Sequence, residues 1–313
     1  MSIAPDYVTP EEVRDRQLKV YLTSEAGSVN LWPNANGDGF KLHDKADGLG
    51  VADSENTMTS LASGGAIMRH QRLKEGDMQL PIQIKSNSKR ARNDLKTQLE
   101  QVLQPAKGPV YVHVLDPYSG DTRIRTAYYR TGLGQPEWSG PRSALYGVTL
   151  DYAEPWWRGT NRGRKVKVAD RKKPFITANT AGGPAIPFFP VFVYSSVVEG
   201  VYALDIEGDE IAWPTWTISP PGKDLLIENM TTGDKLFIEG EIFEPLTIVT
   251  DPHNQDIYSE TWTKGEWWNQ VDIKQGTLFP LAAGLNKIKI TMVGANLESY
   301  VEYSYQEMWR APY

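Results

Sequence analysis

The sequence predicts a mainly β chain of two domains that carries a single helix. Three observations lead there. From Phe188 to the end, short strand-like segments follow one another with turn signals between them. One stretch only, about 88–104, spaces its apolar residues as a helix does. The formal charge of −6 also hides an asymmetry: residues 201–313 carry −11 and residues 1–200 carry +5. A chain of 313 residues is long enough for two domains of ordinary size.

Met78, Leu80, Ile82 and Ile84 alternate with polar residues, as in a strand with one face buried. Ala91, Leu95, Leu99, Val102 and Leu103 then form one apolar stripe at helical spacing. Asn87 or Ser88 can cap its start, and Pro105 with Gly108 can stop it. Val110 to Leu115 is a more continuous apolar strand, and Asp116-Pro117-Tyr118-Ser119-Gly120 is a turn. Arg123 to Arg130 can return antiparallel, and Ala144, Tyr146, Val148, Leu150 and Tyr152 alternate again. Residues 36–60 are polar and hold four Gly, so they are expected as a long functional or mobile loop.

The domain junction is expected near residue 175, giving an α+β domain over 1–175 and a β-sandwich over 176–313. Strands of the second domain are expected at Phe188–Tyr194, Val201–Ile206, Trp213–Ser219, Leu225–Asn229, Lys235–Glu239, Pro245–Thr250, Leu285–Val293 and Ser299–Gln306. Thr231-Thr232-Gly233-Asp234 is a hairpin turn.

Composition narrows the chemistry. No apolar run approaches the roughly 18 residues that span a bilayer, so no membrane insertion is expected. The opening residues have neither a basic start nor an apolar core, so no secretory signal is expected. Without cysteine there is no disulfide and no thiolate ligand, which fits assembly in a reducing cytoplasm. Neither a Walker sequence nor a Gly-x-Ser-x-Gly elbow occurs, and His43, His70, His113 and His253 form no close pair. His113, on an apolar strand, reads as a core or interface residue. Asp251, His253, Asn254 and Asp256 read as a solvated turn rather than a calcium site, which wants six or more oxygens. No catalytic residue, metal or cofactor is expected.

Two clusters stand out as candidate contact residues. Arg158, Arg162, Arg164, Lys165, Lys167, Arg171, Lys172 and Lys173 form a basic run broken only by Asp170. It is expected as a solvated linker or as a contact with an acidic neighbouring subunit. Trp156 and Trp157 beside it also keep a nucleic-acid reading open. Trp262, Trp267 and Trp268 are candidates for packing, for a partner or for stacking on a glycan.

The second half runs through Gly208-Asp209, Trp213-Pro214-Thr215-Trp216-Thr217-Ile218, Pro220-Pro221-Gly222, Ile227-Glu228-Asn229-Met230-Thr231-Thr232-Gly233, Gly240-Glu241, Leu246-Thr247-Ile248 and Pro280-Leu281-Ala282-Ala283-Gly284-Leu285-Asn286. This order resembles the C-terminal domain of the siphophage distal tail, or minor tail, proteins. The strand–helix–strand–hairpin order of the first half, closed by Glu154-Pro155-Trp156-Trp157, resembles that family's N-terminal ring-forming "belt" domain. The resemblance covers roughly residues 15–313. It departs at Thr250-Asp251-Pro252-His253, where the family pattern has an Asp-Thr-Arg-like segment.

The resemblance implies a galectin-like C-terminal sandwich and a non-enzymatic structural protein of the virion tail tip of a long-tailed bacteriophage, made and assembled in the host cytoplasm. It implies a ring, a homohexamer, that joins the tail tube protein to a tail-associated hub protein and to receptor-binding proteins, with phage DNA only passing through the lumen. The alternative from another class is a carbohydrate-binding β-sandwich protein or a glycoside hydrolase accessory module. A third is a nucleic-acid binder that uses residues 156–173.

Overall fold

A computed structural model of the chain describes residues 19–34, 37–116, 120–167, 173–174, 177–178, 186–187, 192–193, 197–260, 276–296 and 298–313. The chain divides into two compact units: Met1–Thr160 together with Met308–Tyr313, and Asn161–Glu307. The junction expected at 175/176 lies outside the described residues.

The first unit contains β1 (Lys19–Ser24), β2 (Gly27–Asn30), β3 (Gly39–Leu42), β4 (Ser54–Ser60), β5 (Ala66–Leu73), β6 (Gly76–Lys85), the helix Lys89–Val102, β7 (Val110–Leu115), β8 (Thr122–Thr131), β9 (Trp138–Ser139) and β10 (Ser143–Tyr152). It also holds the start of β11 (Trp157–Lys167). One run of neighbouring strands is β2-β1-β7-β8; β3, β6, β10 and β9 form another, which joins β8 through β10. Met78, Leu80, Ile82 and Ile84 do face inward, as do Ala144, Val148 and Leu150 opposite them in register.

The helix forms where the apolar stripe predicts it. Ser88 caps it by accepting from the Ala91 N–H at 3.2 Å. Leu99, Val102 and Leu103 are buried among the sheet residues, and full burial of one such side chain is worth about 1.5–3 kcal/mol. Pro105–Lys107 then makes one 3-10 turn, and Gly108 leaves it with φ +85°.

Arg125 holds this core together. It is fully buried on β8, donates to the Gly48 carbonyl at 3.1 Å and the Pro155 carbonyl at 2.7 Å, and lies between the rings of Tyr152 and Trp157 at 4.4 and 4.2 Å. The Glu154-Pro155-Trp156-Trp157 element therefore closes the unit by clasping a cation. Gly48 itself packs against the β6 backbone: its φ is +78°, and a Cβ there would sit 2.4 Å from the Asp77 carbonyl oxygen.

The second unit contains the rest of β11, the short pairs β12 (Lys173–Pro174) with β15 (Phe192–Val193) and β13 (Thr177–Ala178) with β14 (Ile186–Pro187), then β16 (Val197–Ile206), β17 (Thr215–Ser219), β18 (Gly222–Asn229), β19 (Lys235–Ile242), β20 (Leu246–Val249), β21 (Asp256–Ser259), β22 (Gly284–Val293) and β23 (Tyr300–Trp309), whose last residues return to the first unit. One sheet runs β16-β22-β18-β19 and another runs β23-β17-β20-β21. Ile227, Ile238 and Ile290 from the first share one core with Trp216, Ile248 and Val301 from the second. The unit is a β-sandwich, as the strand spacing predicts.

Three expectations are corrected. Residues 36–60 are not a loop, because β3 and β4 lie there. Strand β4 leaves no periodic signal in the sequence, because all seven of its residues are exposed and neither face carries an apolar alternation. Residues 158–167 are not a linker but β11, whose inward positions in sequence amount to little more than Trp157 and Val166. Strands β1, β2, β5, β9, β12, β13, β14 and β21 are also additional to the expected set. Of the expected strand Phe188–Tyr194, only Phe192–Val193 is described.

Candidate functional site

The basic run is engaged with its own chain. Arg158 makes a forked pair with Glu154, at 2.8 and 3.1 Å. Arg162 pairs with Glu207 at 2.8 Å and with Glu307 at 3.0 Å. Lys165 pairs with Glu302 at 3.4 Å and lies 3.6 Å above the Tyr300 ring, while Arg164 lies 5.9 Å from the Tyr202 ring. Lys167 ends the strand. Glu307 is buried, and burial raises its carboxyl above the ordinary value against the pull of Arg162. Arg171 and Lys172, like Trp262, Trp267 and Trp268, lie outside the described residues.

The quoted motifs of the second unit meet in space. Asn229 and Asn286, both fully buried, bond to each other at 2.9 Å. The Asn229 side-chain oxygen, Oδ1, caps the hairpin turn by accepting from the Thr231 and Thr232 N–H groups. Asn286 accepts from the Ala282 N–H at 3.0 Å and donates to the carbonyls of Ala282 and Gly284 at 2.7 and 2.9 Å. Pro214 accepts from the Thr250 hydroxyl at 2.6 Å, and Pro221 from the Ser299 hydroxyl at 2.6 Å. In this chain these residues satisfy buried polar groups of the backbone.

The Asp251 carboxylate turns onto its own loop, accepting from the His253 N–H at 3.0 Å. Among the described residues no three His, Cys, Asp or Glu are grouped to hold a metal, and no helix is long and apolar enough to cross a membrane.

His113 stacks on Tyr21, with centroids 4.3 Å apart, and its Nε2 meets the Thr23 hydroxyl at 2.8 Å. Burial lowers its pKa, so the folded state favours neutral imidazole. The unfolded chain then binds a proton more readily as pH falls, and stability is lost toward acid. Unit one is expected to unfold at lower urea at about pH 5 than at about pH 7.5, with His113→Phe removing part of the difference. An unchanged pH dependence in the variant would refute that assignment.

The geometry that stands apart is the β4–β5 hairpin. Its strands pair from Ser54↔Leu73 to Ser60↔Ala66, and Leu61 N–H closes onto Gly65 at 3.0 Å. Arg72 forks onto Glu55 at 2.8 and 3.0 Å across it. Met58, Leu61, Ile67 and Met68 are nonetheless all exposed, Met58 at 59%. A lone hairpin is marginal in water, and exposed apolar side chains on it mark a contact surface; Met58 and Met68 are cross-strand partners on one face, and Ile67, opposite Thr59, lies on the other. The polar composition of residues 36–60 marks the region in the sequence, but its pairing partner 66–73 carries no separate signal.

No protein-family model and no curated protein matches the chain in sequence. Solved structures do match in fold. The Dit protein of phage SPP1, described as a paradigm of the hub adsorption apparatus in phages that infect Gram-positive hosts, matches at TM-score 0.61 and 11% identity over 92% of this chain and 98% of that one. A chain of the phage P2 baseplate in its activated conformation with Ca matches at TM-score 0.52 and 12% identity, over 93% and 98%. The same baseplate with Sr gives TM-score 0.51 at 12% identity, over 92% and 98%. The likeness runs through both units, and the chain has the β-rich fold of the SPP1 Dit hub protein.

Proposed function

We propose that this chain is a structural subunit of the tail tip of a long-tailed bacteriophage, and that copies of it assemble into a ring. The observation that carries the reading is a fold likeness to the SPP1 Dit hub protein extending over 92% of this chain and 98% of that one. The exposed hairpin supports it further: Met58, Ile67 and Met68 are exposed, and a second copy of the chain is the partner proposed for them. The basic strand is a weaker interface candidate, because Arg158, Arg162 and Lys165 already hold carboxylates of their own chain. Ring formation belongs to unit one. The sandwich docks outer tail proteins, and the ring joins the tail tube to a hub protein with DNA passing through.

Mass in solution and negative-stain images test this. The wild type is expected as rings of about six copies. Met58, Ile67 and Met68 replaced together by Ser are expected to leave monomers of unchanged stability, because these side chains bury nothing within the chain. A wild type that stays monomeric at every concentration overturns the ring. Rings that form unchanged in the triple variant overturn the role of the hairpin.

A further inference from the structure

The outer face of β3, β6, β10 and β9 holds a groove that the ring reading does not use. Lys41, Gln83, Leu145 and Trp138 are consecutive partners across the four strands, so they form one row on one side of the sheet. Gly39, Lys85 and Ser143 form the next row. Phe40, Ile84 and Ala144 point the other way, into the core. The groove over these rows has a volume of about 470 Å³ and is lined by Pro33, Lys41, Gln83, Lys85, Trp138 and Ser143 along with two glycines.

Its chemistry is mixed in a particular way. Trp138 leaves 54% of its surface exposed on an edge strand only two residues long. Its turn is nevertheless pinned: Arg92 of the helix donates to the Gly140 carbonyl, and the Gly140 N–H donates to Ser143 at 2.7 Å. Lys41 and Lys85 make no ion pair with a described residue, and none of the described residues that line the groove is a carboxylate. On its floor the Gln83 amide donates to the Ser143 hydroxyl at 3.1 Å, leaving the Gln83 oxygen as acceptor and the Ser143 O–H as donor.

We propose that this groove binds an acidic saccharide unit, a sugar bearing one carboxylate or phosphate. The indole face stacks on the apolar side of the sugar ring, the two ammonium groups hold the anion, and the amide and hydroxyl pair with sugar hydroxyls. A longer polyanion fits less well. Asp77 and Asp151 face each other at the far end of the same sheet face, where among the described residues Arg130 alone pairs with both, and they repel a strand of phosphates that runs on from the lysines.

The test uses the full chain and isothermal titration with glucuronate and glucose 6-phosphate, against glucose, inorganic phosphate and a short oligothymidylate. Both acidic sugars are expected to bind more tightly than glucose or phosphate. Trp138→Ala should weaken both by about tenfold or more, and Lys41→Gln with Lys85→Gln should reduce them to the level of glucose. Circular dichroism confirms that these surface variants fold. The proposal is overturned if neither acidic sugar binds, if Trp138→Ala binds as the wild type does, or if phosphate or oligothymidylate binds as well as the acidic sugars.

Discussion

Arg125→Ala is expected to destabilise unit one by roughly 3–5 kcal/mol, a large effect for a single side chain. The substitution strips donors from the Gly48 and Pro155 carbonyls, and it empties the space between the Tyr152 and Trp157 rings. Burial lowers the guanidinium pKa to about 10, still well above neutrality, so a full charge sits in this core at physiological pH. Among the described residues no carboxylate pairs with it; carbonyl dipoles and ring faces carry the compensation. Arg125→Met keeps the volume and removes the desolvated charge, so it is expected to cost about 1–3 kcal/mol, chiefly for the orphaned carbonyls. Urea unfolding followed by tryptophan fluorescence measures both, with Trp157 one of the ten indoles that contribute. If the Ala variant unfolds with the wild type, or Met costs as much as Ala, the clasp is not what closes the unit.

Asn286→Ala is expected to cost unit two about 3–5 kcal/mol, because it leaves several buried polar groups without partners at once. Asn229 loses its side-chain acceptor, and the backbone of Ala282 and Gly284 loses the amide that ties the loop to the hairpin. Asn286→Asp separates hydrogen bonding from shape. An aspartate keeps an oxygen for Asn229 and for the Ala282 N–H but turns a second oxygen toward two carbonyls at a fully buried site. Its folded-state pKa would be raised, so the folded protein would take up a proton more readily than the unfolded chain. The penalty of the Asp variant is therefore expected to be greatest near neutral pH and to shrink toward acid, while that of the Ala variant stays level. Urea midpoints across pH measure this, and parallel curves for the two variants would refute the donor role of Asn286.

Both effects sit at positions the sequence had marked for another reason. Glu154-Pro155-Trp156-Trp157 and the Asn229 and Asn286 motifs carried the resemblance to distal tail proteins. The structure gives them physical work in the fold: one clasps a cation and the other satisfies a buried turn. Only their bond partners reveal this. Arg125 lies 30 residues before Pro155, and Asn229 lies 57 before Asn286.

What the sequence determined by itself is what local periodicity encodes. The stripe Ala91 to Leu103 yields the helix, and the alternation in 78–84 and 144–152 yields β6 and β10 with the correct residues inward. The turn chemistry of Thr231 to Asp234 yields the β18–β19 hairpin. In each case one face is buried, so the apolar pattern repeats with the period of the element. The tertiary structure decided the rest where no such face exists. Strands β4 and β5 stand exposed on both faces, and the groove at Trp138 draws its residues from four strands, so neither leaves a periodic trace. The basic run is a strand because its backbone pairs with neighbouring strands, and its charges find Glu154, Glu207, Glu302 and Glu307, carboxylates that are mostly distant in sequence and near only once the chain is folded.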